Sequence, residues 1–261
     1  AGVAGAALAG LATRTRAEPL GASADVDPNA LLIKLVGRIT FGYSEAEYAR
    51  AQQLGYWGYI EEQLALTEAD ETPSLVTRLA GYTTLPMSGE QLYALNSSTQ
   101  QYNELVDSTT LRAVFSRRQL YEKMVEFWSD HFNIYAGAGE PSVLKTIDDR
   151  EVIRRYALSN FPQLLYASAT STAMLAYLNN DLNTRTGPNE NYARELCELH
   201  TMGVGSGYTQ ADVVSAAKAL TGWTRYNANT VPTNLRGTFR YIDTSHDKTA
   251  KVFLGHTLAA N

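Results

Sequence analysis

Between Asn189 and His200 the chain reads Asn-Glu-Asn-Tyr-Ala-Arg-Glu-Leu-Cys-Glu-Leu-His, which places glutamates, an arginine, a thiol, a histidine and amides within about three helical turns. A helix that only fills a core has no use for so many such groups. Glu190, Arg194 and Glu198 stand four apart, so one guanidinium can bridge two carboxylates along a helix. If the group is enclosed, one glutamate rises in pKa and serves as an acid while its neighbour stays ionised. At about 100° per residue, Asn191, Arg194, Glu195 and Glu198 share a polar stripe, whereas Ala193, Leu196, Cys197 and His200 line an apolar one. The spacing therefore sets His200 apart from the carboxylates. Two readings follow: a surface helix laced by its own ion pairs, or a polar cluster lining a cleft or locking helices together.

A second group lies upstream. Glu122, Glu126 and Asp130 form a single-sign stripe four apart, which repels itself unless basic groups face it. Trp128, His131 and Phe132 fall beside it. As core residues, Trp128 and Phe132 pack and His131 makes an internal hydrogen bond; as site residues, they face the Asn189 helix across a cleft. His131, His200 and His246 each have a carboxylate nearby in sequence, at Asp130, Glu198 and Asp247. An acid–base site built from them needs those segments to meet in space. Cys197 precedes His200 by three residues, so a thiolate–imidazole pair is geometrically open, although its apolar stripe favours a buried thiol.

Several other motifs fail. Asp25, Asp27 and Asn29 open like a calcium loop, but Ala30 and Val36 stand where glycine and glutamate are required. Neither a His-Glu-x-x-His zinc motif nor a Gly-x-Ser-x-Gly elbow occurs. Gly203, Gly205 and Gly207 follow a helix instead of joining a strand to one, so they form no phosphate cradle. The residues assign no metal and name no cofactor.

The elements that must position these groups read as successive helices. Asp27 or Asn29 caps one from about Ala30, Ser44 with Glu47 caps a second, and Gly55 to Leu66 continues it. Residues Asn96 to Ser108 are polar without a clear period, which predicts an exposed insertion or a weak helix. From Thr110 to Phe132 the apolar residues regain helical spacing, and a Gly/Ala turn occupies 136–139. Phe161-Pro162 opens a helix to Leu178, Asn179 to Asn183 loops into Gly187-Pro188, and Thr209 with Asp212 caps another helix. Beyond Trp223 the periodicity ends, with Thr238 to Ile242 the one strand-like stretch. The fold class is mainly α: a multi-helix globular bundle with long loops and at most one small β-hairpin after residue 223.

With 261 residues, of which 44% are hydrophobic, the chain can bury a sizeable core. A net charge of -5 without a basic cluster argues against a nucleic-acid partner. One cysteine excludes an internal disulfide. Ala1 to Ala12 is wholly apolar and precedes Arg14 and Arg16. It is too short to span a bilayer but suits the hydrophobic region of a signal peptide, with Ala22-Ser23-Ala24 as a cleavage site. Residues 1–24 thus read as a signal remnant or flexible tail, and 25–261 as a helical domain cut short at its C-terminal end. No transmembrane span is expected beyond the N-terminal segment.

The Asn189 motif with Glu198-Leu199-His200 and Gly203 also resembles a bacterial family catalogued as domain of unknown function 1800. Further matches are Leu35-Val36-Gly37-Arg38-Ile39-Thr40-Phe41-Gly42, Phe127-Trp128-Ser129-Asp130-His131-Phe132, Ala173-Met174-Leu175, Tyr208-Thr209-Gln210-Ala211-Asp212 and Leu220-Thr221-Gly222-Trp223. The matching stretch runs roughly from Leu31 to Gly255, and Thr172 stands where a proline is expected. The resemblance implies an exported, mainly helical bacterial protein with no assigned activity. Two functions fit these residues. One is a hydrolase-like envelope enzyme whose cleft holds Glu195, Glu198, Arg194 and His131. In the other, a non-catalytic envelope protein, the cluster of Asn189, Glu190, Asn191 and their neighbours locks helices, and tyrosine-rich surfaces bind carbohydrate or another protein.

Overall fold

Helix α1 (Pro28–Ile39) starts where proline's fixed φ suits a first turn and where the Asp27 carboxylate accepts from the Asn29 N–H. The computed structural model describes residues 27–95, 98–135, 137 and 139–260. The Ala1–Ala24 segment and a mature start at Asp25 lie outside the described residues, as do Ala136 and Ala138 of the Gly/Ala turn. Contacts divide the chain after Glu61. The first unit holds α1 and α2 (Glu45–Ala65) up to that residue. Its core is Leu35, Val36, Ala51 and Tyr59, and the Tyr59 hydroxyl donates to Glu47 at 2.5 Å. Gly55, at φ +72°, breaks the helical path of α2, as only glycine does without strain.

The second unit carries α3 (Pro73–Ala80), α4 (Gly89–Ala94), α5 (Ser98–Phe115), α6 (Gln119–His131) and α7 (Glu140–Asp148). It continues through α8 (Phe161–Ala169), α9 (Thr172–Tyr177), α10 (Asn191–Glu195) and α11 (Gln210–Ala219). Its main core joins Val125, Phe132, Leu144, Ile153, Leu164, Met174 and Tyr192, with Trp128 and Trp223 packed at the rim. Ala193 packs with Val213, Ala216 and Ala217 of α11 in a smaller cluster. Thr172 starts α9 without the proline, and its hydroxyl donates to the Gly237 carbonyl at 3.1 Å.

One stretch takes the helical one of its two expected forms, and the number of strand pairs departs from the expectation. The polar stretch before Ser108 is part of the regular helix α5, whose inner residues are Gln101, Leu105 and Ser108. Two of those three are polar, so a hydrophobic period could not reveal the buried face. Two short antiparallel pairs, not one hairpin, follow α11: β1 (Trp223–Arg225) with β2 (Phe239–Tyr241), and β3 (Lys251–Phe253) with β4 (His256–Leu258). Three-residue strands carry too little alternation to announce themselves. Among the described residues no helix is long and apolar enough to cross a membrane.

Candidate functional site

The Asn189 segment begins with the Asn189 carboxamide accepting from the Asn191 N–H at 3.0 Å, while Asn183 accepts from the Asn189 N–H at 2.9 Å. After α10 the helix widens: Leu196 to Thr201 is π-helical, and the Met202 N–H donates to the Cys197 carbonyl five residues back, at 2.9 Å. Each residue of a π turn advances by only about 80°, so His200 swings from the Cys197 side towards the face of Tyr192 and Glu195. The Tyr192 and His200 rings lie 6.0 Å apart. The regular-helix spacing, which assumes a constant turn, does not place His200 beside Tyr192. Tyr192 Oη, Glu195 Oε2 and His200 Nδ1 are all buried without a hydrogen-bond partner.

Burial lowers the His200 pKa to about 4, with the charge of nearby His131 adding to the effect, so His200 is neutral at ordinary pH. Burial likewise pushes the Tyr192 phenol well above its ordinary range. The Cys197 thiol is pushed up too, by burial and then by Asp212 and Glu198, which is the opposite of nucleophile activation.

His131 reaches the same place from α6. Its Nε2 lies 3.0 Å from the His200 carbonyl oxygen, a contact that requires the N–H at Nε2. Trp128 donates from its indole to the Ala157 carbonyl at 3.0 Å, and the His131, Phe132, Phe161 and Trp128 rings pack within about 6 Å of one another. The two candidate segments therefore do meet, but through a side chain to backbone bond inside aromatic packing. Asp130 is exposed and takes no part in it.

Arg194 bridges Glu190 at 3.1 Å and Glu198 at 3.8 Å, and it also donates to Gln210. Its side chain keeps 39% of its exposure, so this is a surface ladder along the helix. The single-sign stripe of α6 is resolved differently. Glu122 is buried and receives two bonds from Arg154, at 3.0 and 2.9 Å, while Asp149 accepts from the same guanidinium at 2.8 Å. Glu126 pairs with Lys123 near the surface. A second enclosed arginine, Arg225, binds Glu140 bidentately and Asp181 at 3.0 Å.

His246 and Asp247 lie in another part of the second unit, where the buried His246 and Lys251 border a pocket. A pocket of about 420 Å³ is lined by Ala219, Trp223, Tyr241, His246, Lys251, Leu258 and Ala259. Trp223 and Tyr241 are cross-strand partners in the β1–β2 pair, which sets the two aromatic walls side by side. His246 Nδ1 donates to the Thr221 carbonyl at 2.8 Å, which fixes the tautomer and leaves Nε2 as a hydrogen-bond acceptor. Lys251 is enclosed by the carbonyls of Asp247 and Thr249 and lies 3.5 Å from the Asp247 carboxylate. Among the described residues no group of three or more His, Cys, Asp or Glu converges as metal ligands.

The supports of this pocket come largely from the 179–183 stretch, which its composition predicts as a loop. Asn180 donates to the carbonyls of Leu220 and Trp223, and Asn183 donates to that of Ala217. Both amides are buried. Gly222, at φ +80°, hands its N–H to the Asn183 carbonyl and accepts the Ile242 N–H, and a Cβ there would stand 2.6 Å from the Ile242 oxygen. The run of asparagines between Asn179 and Asn191 was the available signal, since buried amides often tie loops to helix ends.

Compared with known proteins, residues 34–261 match the sequence model of the family described as Protein of unknown function (DUF1800). No curated protein and no solved structure matches the chain.

Proposed function

The chain belongs to the DUF1800 family of proteins of unknown function, and from that premise we propose that it is an exported, non-catalytic envelope protein that binds carbohydrate in the Trp223–Tyr241–His246 pocket. The observation that carries this reading is the pocket wall, in which Trp223 and Tyr241 stand as cross-strand partners beside His246. At the Asn189 helix, His200 and Tyr192 are buried, the half-buried His131 bonds the His200 carbonyl, and Arg194 is engaged by Glu190, Glu198 and Gln210. The pocket instead offers two aromatic walls and an imidazole acceptor. Sugar rings have C–H faces that stack on aromatic surfaces and hydroxyls that donate to such an acceptor. In this reading the Asn189 helix is the lock and the pocket meets the ligand.

Tyr241 is 44% exposed, so its removal leaves the core intact. Titration of soluble oligosaccharides followed by tryptophan fluorescence should show saturable binding, and Tyr241→Ala should weaken it about tenfold with the melting temperature nearly unchanged. Equal affinity in the variant would remove the pocket from the account. Export is supported by the apolar Ala1 to Ala12 run and the Ala22-Ser23-Ala24 site. The mature protein is expected to begin near Asp25 and to be recovered outside the cytoplasm. Sequencing the N-terminus of protein from each cell fraction checks this, and an unprocessed cytosolic form would refute it.

A hydrolase-like reading has one observation in its favour: Tyr192, Glu195 and His200 of the same helical segment each carry a buried polar atom without a hydrogen-bond partner. It requires substrate to reach groups that are closed off by packing.

A further inference from the structure

Two half-buried arginines at the corner where α5 gives way to α6 differ from the other half-buried arginines among the described residues. Arg150, Arg154, Arg194, Arg225 and Arg236 each donate to a carboxylate, carboxamide or backbone oxygen. The side chains of Arg112 and Arg118 donate to none among the described residues, and no carboxylate there pairs with either. The Arg118 guanidinium sits over the Tyr121 ring, its Cζ 3.9 Å from the centroid, and the Tyr121 hydroxyl is anchored on the Arg154 carbonyl at 2.7 Å. Stacking uses the face of the fork and leaves its N–H edge for an acceptor. Of the two guanidinia only Arg118 Nε is sealed, so the other nitrogens reach solvent. Tyr121 lies within electrostatic reach of both arginines. We propose that Arg112 and Arg118 together bind the oxyanion of a ligand, a phosphate or carboxylate group, at this corner.

A shortage of carboxylates does not explain the two unpaired guanidinia, because Asp and Glu outnumber Lys and Arg by 27 to 22 in the chain. The carboxylates of this corner are committed elsewhere. Glu122 and Asp149 accept from Arg154, and Asp70 accepts from the N–H and hydroxyl of Thr67. Burial and then the charge of Arg154 act against the Arg112 cation, so an anion brought beside it relieves a cost as well as accepting hydrogen bonds. Arg118 is also the cap residue of α6, which places the positive end of that helix dipole at the same corner. A guanidinium fork matches two oxygens of a phosphate or of a carboxylate equally well in geometry. The corner shares no residue with the Trp223 pocket, so the two sites stand or fall separately.

The test is titration of the full chain with inorganic phosphate and, separately, with acetate, the ionic strength being held constant with chloride. Binding is read by calorimetry and by the nitrogen–proton NMR signals of the arginine Nε–H groups. In wild type, saturable binding should move the Arg112 and Arg118 signals together, a result that needs no variant. Arg112→Gln and Arg118→Gln should each weaken binding about tenfold or more, since each removes charge-assisted hydrogen bonds. Arg112→Lys keeps the charge without the fork and should recover only part of the loss. Arg155→Gln removes a cation that is 64% exposed and pairs with Glu151, and it should change nothing. Circular dichroism verifies the fold of each variant. Tighter phosphate binding assigns a phosphoryl group to the site, and tighter acetate binding assigns a carboxylate. An equal loss in Arg155→Gln reduces the effect to general charge and overturns the site. Saturable binding of neither ion, or shifts that bypass Arg112 and Arg118, overturns it as well.

Discussion

Replacing Arg154 by Ala is expected to destabilise the second unit by about 3–5 kcal/mol, the usual cost of removing one partner from an enclosed ionic group. Glu122 and Asp149 both bond this guanidinium, and their side chains are 5% and 12% exposed. Without Arg154, two carboxylates remain largely away from water and lose the guanidinium that bonds both of them. Arg154→Lys should not restore stability, since an ammonium lacks the fork that reaches Glu122 and Asp149 together. The internal control is Arg194→Ala, which breaks a surface ladder and should cost under about 1 kcal/mol. Urea unfolding of the three variants checks the order. Equal losses for Arg154→Ala and Arg194→Ala would mean that the two arginines do not differ in enclosure as described.

The second large effect is a loss of stability in mild acid that belongs to His200. Its folded pKa, about 4, lies below the ordinary histidine value because burial and His131 disfavour the cation. The unfolded chain therefore binds a proton at His200 more readily than the folded one. Stability is fully present above about pH 6.5 and declines as the pH falls towards 4, by about 3 kcal/mol at the low end. Carboxylates titrate over part of this range, so the histidine must be isolated by difference. His200→Phe keeps a ring beside Phe132 and Tyr192 and removes the titration. The free-energy difference between wild type and His200→Phe, from urea unfolding at each pH, should move in favour of the variant as the pH drops. A difference that stays constant between about pH 7 and pH 4 would contradict a buried, neutral His200.

Where side-chain chemistry follows regular backbone geometry, the sequence was legible. The Thr209–Asp212 capping box, the Asp27 cap, the Phe161-Pro162 helix start and the Glu190–Arg194–Glu198 ladder all appear in the structure. Local rules govern each of them, because a cap or an i,i+4 pair needs only its own helix. The family resemblance also held, over residues 34–261. Helix α5 was obscured by Gln101 and Ser108, polar residues whose bonds to the carbonyls of Leu92 and Leu105 let them sit inside. The direction of His200 was obscured by the π turn, which leaves no mark in a pattern read at a fixed period. The pocket was least legible of all. His246 was a named candidate, but its companions Ala219, Trp223, Tyr241 and Leu258 come from separate elements, and the Asn180 and Asn183 amides that hold them act over long sequence distances.

The central claim, that ligand meets the protein at the Trp223–Tyr241–His246 pocket and not at the Asn189 helix, is tested most directly by amide hydrogen exchange with and without saturating oligosaccharide. The account predicts slowed exchange in peptides covering 219–226 and 239–259, with 189–201 unchanged, since no residue of that segment lines the pocket. Protection concentrated on 189–201 and on the segment around His131, with none near Trp223, would contradict it and place the binding chemistry at the Tyr192, Glu195 and His200 face.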